Sequence, residues 1–161
     1  MRRSDREIKD GKKIAEIIDN CRVLHLAMLD DFAPYILPLS FGYEKVNSEY
    51  VFYIHCAKEG KKLDLISKNP NVGFELDTGV ELTSLDKDNP CTYGCNYQSV
   101  VGKGRAEIVE DADEKCHALK LIMLHNVNRD FDFCKEQAEC VAIIKVMSND
   151  LRAKARDLKL I

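Results

Sequence analysis

A run of β-branched and aromatic residues, Val51-Phe-Tyr-Ile-His55, leads through Gly60 into Lys61-Lys62 and the apolar positions Leu63, Leu65 and Ile66. The first part suits a pleated, half-buried surface, and the second has helical spacing. Asn69-Pro70 ends the helix, because proline disfavours helical backbone in the residue before it. A strand over 50–57, a short turn and a helix over 61–68 are therefore predicted.

The remaining elements are read in the same way. Ser4 and Glu7 have the spacing of a capping box, which predicts a helix start with Ile8, Ile14, Ile17, Ile18 and Cys21 largely on one face and Gly11 weakening its first turns. Strands are predicted over 21–29, 35–44, 50–57, 72–78, 97–110 and 141–148, the last a near-continuous apolar run that suits a central position. The first three are joined by short turns, including the polar link 45–49, and predict an antiparallel meander. Gly102 and Gly104 predict a bend or bulge in the fifth strand. Residues 81–90 are rich in Asp, Ser, Asn and Lys and are expected as a mobile loop. Asp111 and Glu114 form a second capping box before a helix over 112–125. The strands cluster instead of alternating with helices, so a small Greek-key or split barrel fits better than a doubly wound sheet.

Bulk properties exclude several classes. A chain of 161 residues is read as a single domain over 1–161, without repeats or a linker. The formal net charge of -3 gives no general attraction to nucleic acid or anionic membranes. The basic run Arg152, Lys154, Arg156 and Lys159 is read as a solvated terminal segment. No apolar run approaches the roughly 20 residues that span a bilayer, and the N-terminus lacks a secretion signal, so a cytoplasmic protein is expected. Seven cysteines, odd in number and scattered, are read as free thiols. Cys91 and Cys95 are spaced C-x3-C, but His117 and His125 complete no zinc pattern, and no metal site is expected.

Two local features carry chemistry. A helix start presents unpaired N–H groups and the positive end of the macrodipole, which favour a dianionic phosphate. Lys61 and Lys62 add point charges there, and Gly60 lets the backbone approach closely. The sequence alone leaves these lysines open between phosphate ligands and solvated helix charges. Pro38 cannot donate to a ladder, so its strand is at an edge or locally unpaired, where a heterocycle would find backbone partners. His55 falls at a strand end, where a structural role and a substrate contact both remain open. His25, mid-strand, is read as a satisfied core or interface histidine. His117 and His125 are read as helix-surface residues. Arg105 and Glu107 have the spacing of a same-face ion pair.

The order of Arg22-Val-Leu-His-Leu-Ala27, Pro34-Tyr-Ile-Leu-Pro-Leu-Ser-Phe-Gly-Tyr43 and Ile54-His-Cys-Ala-Lys-Glu-Gly-Lys-Lys-Leu63 resembles the nitroimidazole-resistance (Nim) proteins. These sit within the pyridoxamine 5'-phosphate oxidase-like FMN-binding split barrels. Asn69-Pro-Asn-Val72, Tyr97-Gln-Ser-Val-Val-Gly-Lys-Gly-Arg-Ala106 and the 118–125 segment agree, so the likeness covers nearly the whole chain. It implies a mainly β fold with peripheral helices, a six-stranded antiparallel split β-barrel. It further implies a homodimer with FMN at the subunit interface. Several strands apolar on both faces lend the dimer support from the sequence itself.

By the same resemblance, Lys61 and Lys62 match the basic pair that holds the FMN phosphate. Pro38, Leu39, Ser40 and Phe41 match the strand along the flavin edge. Gln98, Ser99 and Val100 match a further polar contact, and His55 matches a histidine near the reactive face. The implied activity is flavin-dependent reduction of a small electron-poor acceptor such as a nitroimidazole. A nicotinamide would visit only as co-substrate, since no Rossmann fingerprint is present. A flavin- or haem-binding module for storage or sensing is the alternative. The chain departs from the family at Leu124-His125-Asn126-Val127, where a His-His-Tyr-like end is common. It also has no Trp, offering Phe131 or Phe133 instead.

Overall fold

The computed structural model describes residues 3–157; Lys159 of the basic run lies outside them. The elements are β1 (Glu7–Ile8), α1 (Gly11–Asn20), β2 (Leu24–Met28), β3 (Tyr35–Leu39), β4 (Gly42–Val46) and β5 (Glu49–Cys56). There follow α2 (Lys61–Lys68), β6 (Asn71–Ser84), β7 (Tyr93–Ile108), α3 (Ala112–Val127), α4 (Lys135–Ala138) and β8 (Ala142–Arg156). All strand pairings are antiparallel. Eight strands form one sheet in the order β3-β2-β6-β7-β8-β5-β4, with β1 against β8. The fold is a split β-barrel with peripheral helices.

Two strands separate this sheet from the six expected. Glu7–Ile8 pairs with β8, and the strand expected over 35–44 breaks at Ser40 and Phe41 into β3 and β4. These halves lie at opposite ends of the sheet, so the meander expected from the short turns does not form. Burial explains the break. Phe41 is wholly buried, with its ring 5.9 Å from Phe52 and 4.3 Å from His125, where the chain passes from one end of the sheet to the other.

The first helix begins at Gly11 and not at Ser4, which opens a 3-10 turn. Asp10 caps it by accepting from the Lys12 amide at 2.9 Å. A start at Ser4 would place Gly11 in the helix interior, at a cost of about 1 kcal/mol, and would remove Ile8 from the sheet. Ile14, Ile17 and Ile18 then bury one face at the i, i+3, i+4 spacing.

Other elements hold with adjusted ends, but β8 runs on to Arg156 and takes Arg152, Lys154 and Arg156, expected in a solvated terminal segment, into its ladder with β7. β8 is central, hydrogen-bonded to both β7 and β5. The bend expected at Gly102 and Gly104 appears as a register shift between Lys103 and Arg105. Residues 81–90 are more ordered than a loop, since β6 runs to Ser84. The Ser84 and Thr92 hydroxyls lie 2.7 Å apart and both donate to the Asp86 carbonyl.

Hydrophobic burial divides in two. Leu24, Leu26, Phe52, Ile54, Phe74, Leu76, Val100 and Ile144 fill the barrel. Val51, Tyr53 and Ile143 face outward beneath Ala118 and Ile122 of α3. The two-sided apolar character of β5 and β8 is therefore satisfied within one chain, where α3 covers the outward face. Glu107 pairs with Lys145 on β8 at 3.3 Å, in place of the expected Arg105.

Candidate functional site

α2 occupies the predicted residues 61–68. Leu63, Leu65 and Ile66 are buried and hold it against the barrel, and the Asn69 amide closes its last turn on the Leu65 carbonyl at 2.8 Å. Its start is unusual. Gly60 precedes the helix at φ 139°, ψ 158°, and no side chain caps the first turn. That backbone region is essentially closed to other residues, and a side chain there would meet open space, so conformation alone requires the glycine.

Both lysines stand at this start, Lys61 exposed and Lys62 half-buried. Lys61 Nζ lies 2.5 Å from Asp30 Oδ2, two residues beyond β2, and 5.1 Å from the centre of the Tyr35 ring at the start of β3. The bond to Lys61 holds the Asp30 carboxyl below the ordinary carboxylate range and raises the Lys61 ammonium. Lys62 opposes the effect of burial, which raises the Cys56 thiol. Asp30 reads from sequence only as part of a turn, so this partnership was not visible there.

His55 is exposed at the end of β5, opposite Ile143, five residues before Gly60. Pro38 is exposed on β3, which is an edge strand, as a proline within a strand requires. Leu39 leans on the core, Ser40 is exposed, and the Phe41 carbonyl already accepts from Asn126 Nδ2 at 2.8 Å. On β7, Gln98 and Ser99 are at the surface, while the Val100 side chain is wholly buried. β2 and β6 lie between β3 and β7, so up to about 14 Å of sheet separates Pro38 from β7. The structure thus gathers Lys61 and Lys62 around one helix start and sets Ser99 farther along the sheet. Ser99 lines a concavity of about 370 Å³ with Tyr97, Val101, Arg152 and Lys154.

Two further clusters escaped the sequence reading. His25 stands opposite both Pro38 and Glu75, and its Nδ1 lies 3.3 Å from Glu75 Oε2 without the alignment of a hydrogen bond. Asp77 completes a group whose donor atoms all lie within 4.8 Å of one another. Burial, then Asp77, raises the Glu75 carboxyl, and His25 opposes them.

The second cluster corrects the reading of His125 as a surface residue. It is half-buried, its Nε2 is 2.8 Å from the Cys21 carbonyl, and burial lowers its pKa. It borders a concavity of about 740 Å³ with Tyr43, Asp19 and Arg22. There the Tyr43 hydroxyl donates to Asp19 at 2.7 Å and Arg22 to the His125 carbonyl at 2.7 Å. These groups satisfy one another, so size alone does not mark this hollow as the site.

The family model for pyridoxamine 5'-phosphate oxidase matches residues 10–154. The chain belongs to this family. Among solved structures of the same fold is a candidate 5-nitroimidazole antibiotic resistance protein from Bacteroides thetaiotaomicron. It is 29% identical over 92% of this chain and 86% of its own, with a TM-score of 0.78. A flavocytochrome from Azotobacter vinelandii superposes with a TM-score of 0.75 at 17% identity, over 100% of this chain and 74% of its own. An FAD- and haem-binding protein from Mycobacterium smegmatis does so with a TM-score of 0.71 at 14% identity, over 97% and 76%. The last two share the fold of this family member. No curated protein matches the sequence. No described helix is long and apolar enough to cross a membrane.

Proposed function

We propose that this family member is an FMN-dependent oxidoreductase that reduces a small electron-poor acceptor such as a nitroimidazole. One observation carries the reading: the uncapped start of α2, where Gly60 takes a conformation open to glycine and two lysines follow. These residues fit a phosphate ester, because the uncapped first turn and the helix dipole meet two successive lysines beside a glycine whose β-carbon position is open space. The 29% identity to a candidate nitroimidazole-resistance protein supports the choice of acceptor.

FMN, when bound, supplies the electron transfer; the protein supplies position and charge. Lys61 and Lys62 hold the phosphate, and the segment from Pro38 at the end of β3 to Phe41 offers backbone along the ring edge, with the Phe41 carbonyl already committed. His55 orients the acceptor or gives it a proton. The separation of Ser99 from Pro38 favours a homodimer in which Gln98, Ser99 and Val100 of one chain complete the site of the other. The protein acts in the cytoplasm. Purified protein reduced anaerobically should be reoxidised by a nitroimidazole, followed by flavin absorbance. A protein isolated without flavin and unable to take up FMN overturns the reading.

A second reading is a flavin- or haem-binding module without turnover, favoured by the two structural neighbours described as flavocytochrome or haem-binding. A Soret band in the isolated protein, with no steady-state oxidation of NADH or NADPH, would select it.

A further inference from the structure

We infer that Asp30 is a built-in competitor for the anion at α2, engaging Lys61 until a dianionic phosphate ester displaces it. The inference rests on the phosphate reading above and adds the residue that sets its selectivity. Asp30 Oδ2 and Lys61 Nζ are 2.5 Å apart, and the Tyr35 ring flanks the same ammonium. Asp31 also acts on Lys61, and Asp64 lies in the first turn of α2. Lys61 and Lys68 both act on Asp30. The Lys61 ammonium is already engaged by a carboxylate, and an arriving anion meets Asp30 as a rival.

A neutral ligand gains nothing from Lys61. A singly charged one gains about what Asp30 already provides. A phosphate monoester carries nearly two charges at pH 7 and three acceptor oxygens, so it can engage Lys61, Lys62 and the free amides together. Once Lys61 turns to the ester, Asp30 is left as a nearby negative charge that weakens binding. Removing that charge should tighten phosphorylated flavin and leave unphosphorylated flavin unchanged.

The test is titration of the apoprotein with FMN and with riboflavin, followed by flavin fluorescence, for wild type, Asp30→Asn and Asp30→Glu. The FMN Kd of Asp30→Asn should fall about threefold or more at low ionic strength, with the gain shrinking in salt. Riboflavin affinity should not move, and Asp30→Glu should stay near wild type. An Asp30→Asn protein of unchanged melting temperature that binds FMN equally well or more weakly overturns the inference, because Asp30 would then be positioning Lys61 or doing nothing. Wild type that binds FMN no better than riboflavin overturns the phosphate reading itself, a distinct result.

Discussion

Gly42 lies so close to Ile122 that a β-carbon on it would sit 2.4 Å from the Ile122 amide nitrogen. The contact joins the first residue of β4 to the backbone of α3. It lets the helix settle over the outward faces of β5 and β8, and so fixes where the chain re-enters the sheet at its β4 end.

Gly42→Ala should therefore destabilise strongly, because the obstacle is backbone and cannot rotate away. A loss of about 3 kcal/mol corresponds to a fall in Tm of about 6–12 °C for a chain of this size. Calorimetry measures it directly, and an unchanged Tm would mean that α3 does not rest on β4 in this way.

The double substitution Lys61→Ala, Lys62→Ala should raise the FMN Kd about 30-fold or more, since charge-assisted contacts to phosphate are the strong ones. Riboflavin binding should change little. Equal loss for both ligands would place the phosphate elsewhere.

His55→Ala should leave FMN affinity within about twofold and slow acceptor reduction by about 100-fold or more, the usual worth of a positioned proton donor. Stopped-flow reoxidation of the reduced protein gives the rate. A rate equal to wild type would remove His55 from the chemistry.

Burial lowers the His125 pKa, so the folded state resists the proton that the unfolded chain accepts near pH 6.5. The unfolded state then binds more protons between the two values, and stability rises with pH across that window. Acidification from pH 7 towards 5 should cost stability through this group, and His125→Gln should flatten the slope. Denaturant midpoints at several pH values, compared between the two proteins, isolate the effect. Identical slopes would mean that His125 titrates as an exposed residue.

Sequence alone resolved those features whose causes are local. The helix over 61–68 follows from Gly60, its apolar spacing and Pro70, and the structure agrees to the residue. The irregularity of β7 follows from its glycines, and the central place of β8 from its apolar run. The lysine pair was legible for the same reason, since a helix start and the two residues after it are neighbours in the chain.

Tertiary structure alone decided which surfaces meet. The 35–44 segment has the pattern of one strand, yet Phe41 is drawn into the barrel and its halves go to opposite ends of the sheet. His125 looked exposed until Phe41 and the Cys21 carbonyl closed over it. Asp30 looked like a turn residue until folding brought Lys61 to its carboxylate. Periodicity and capping are set by adjacent residues, whereas these contacts depend on which distant segments share a surface, and only the packed sheet specifies that.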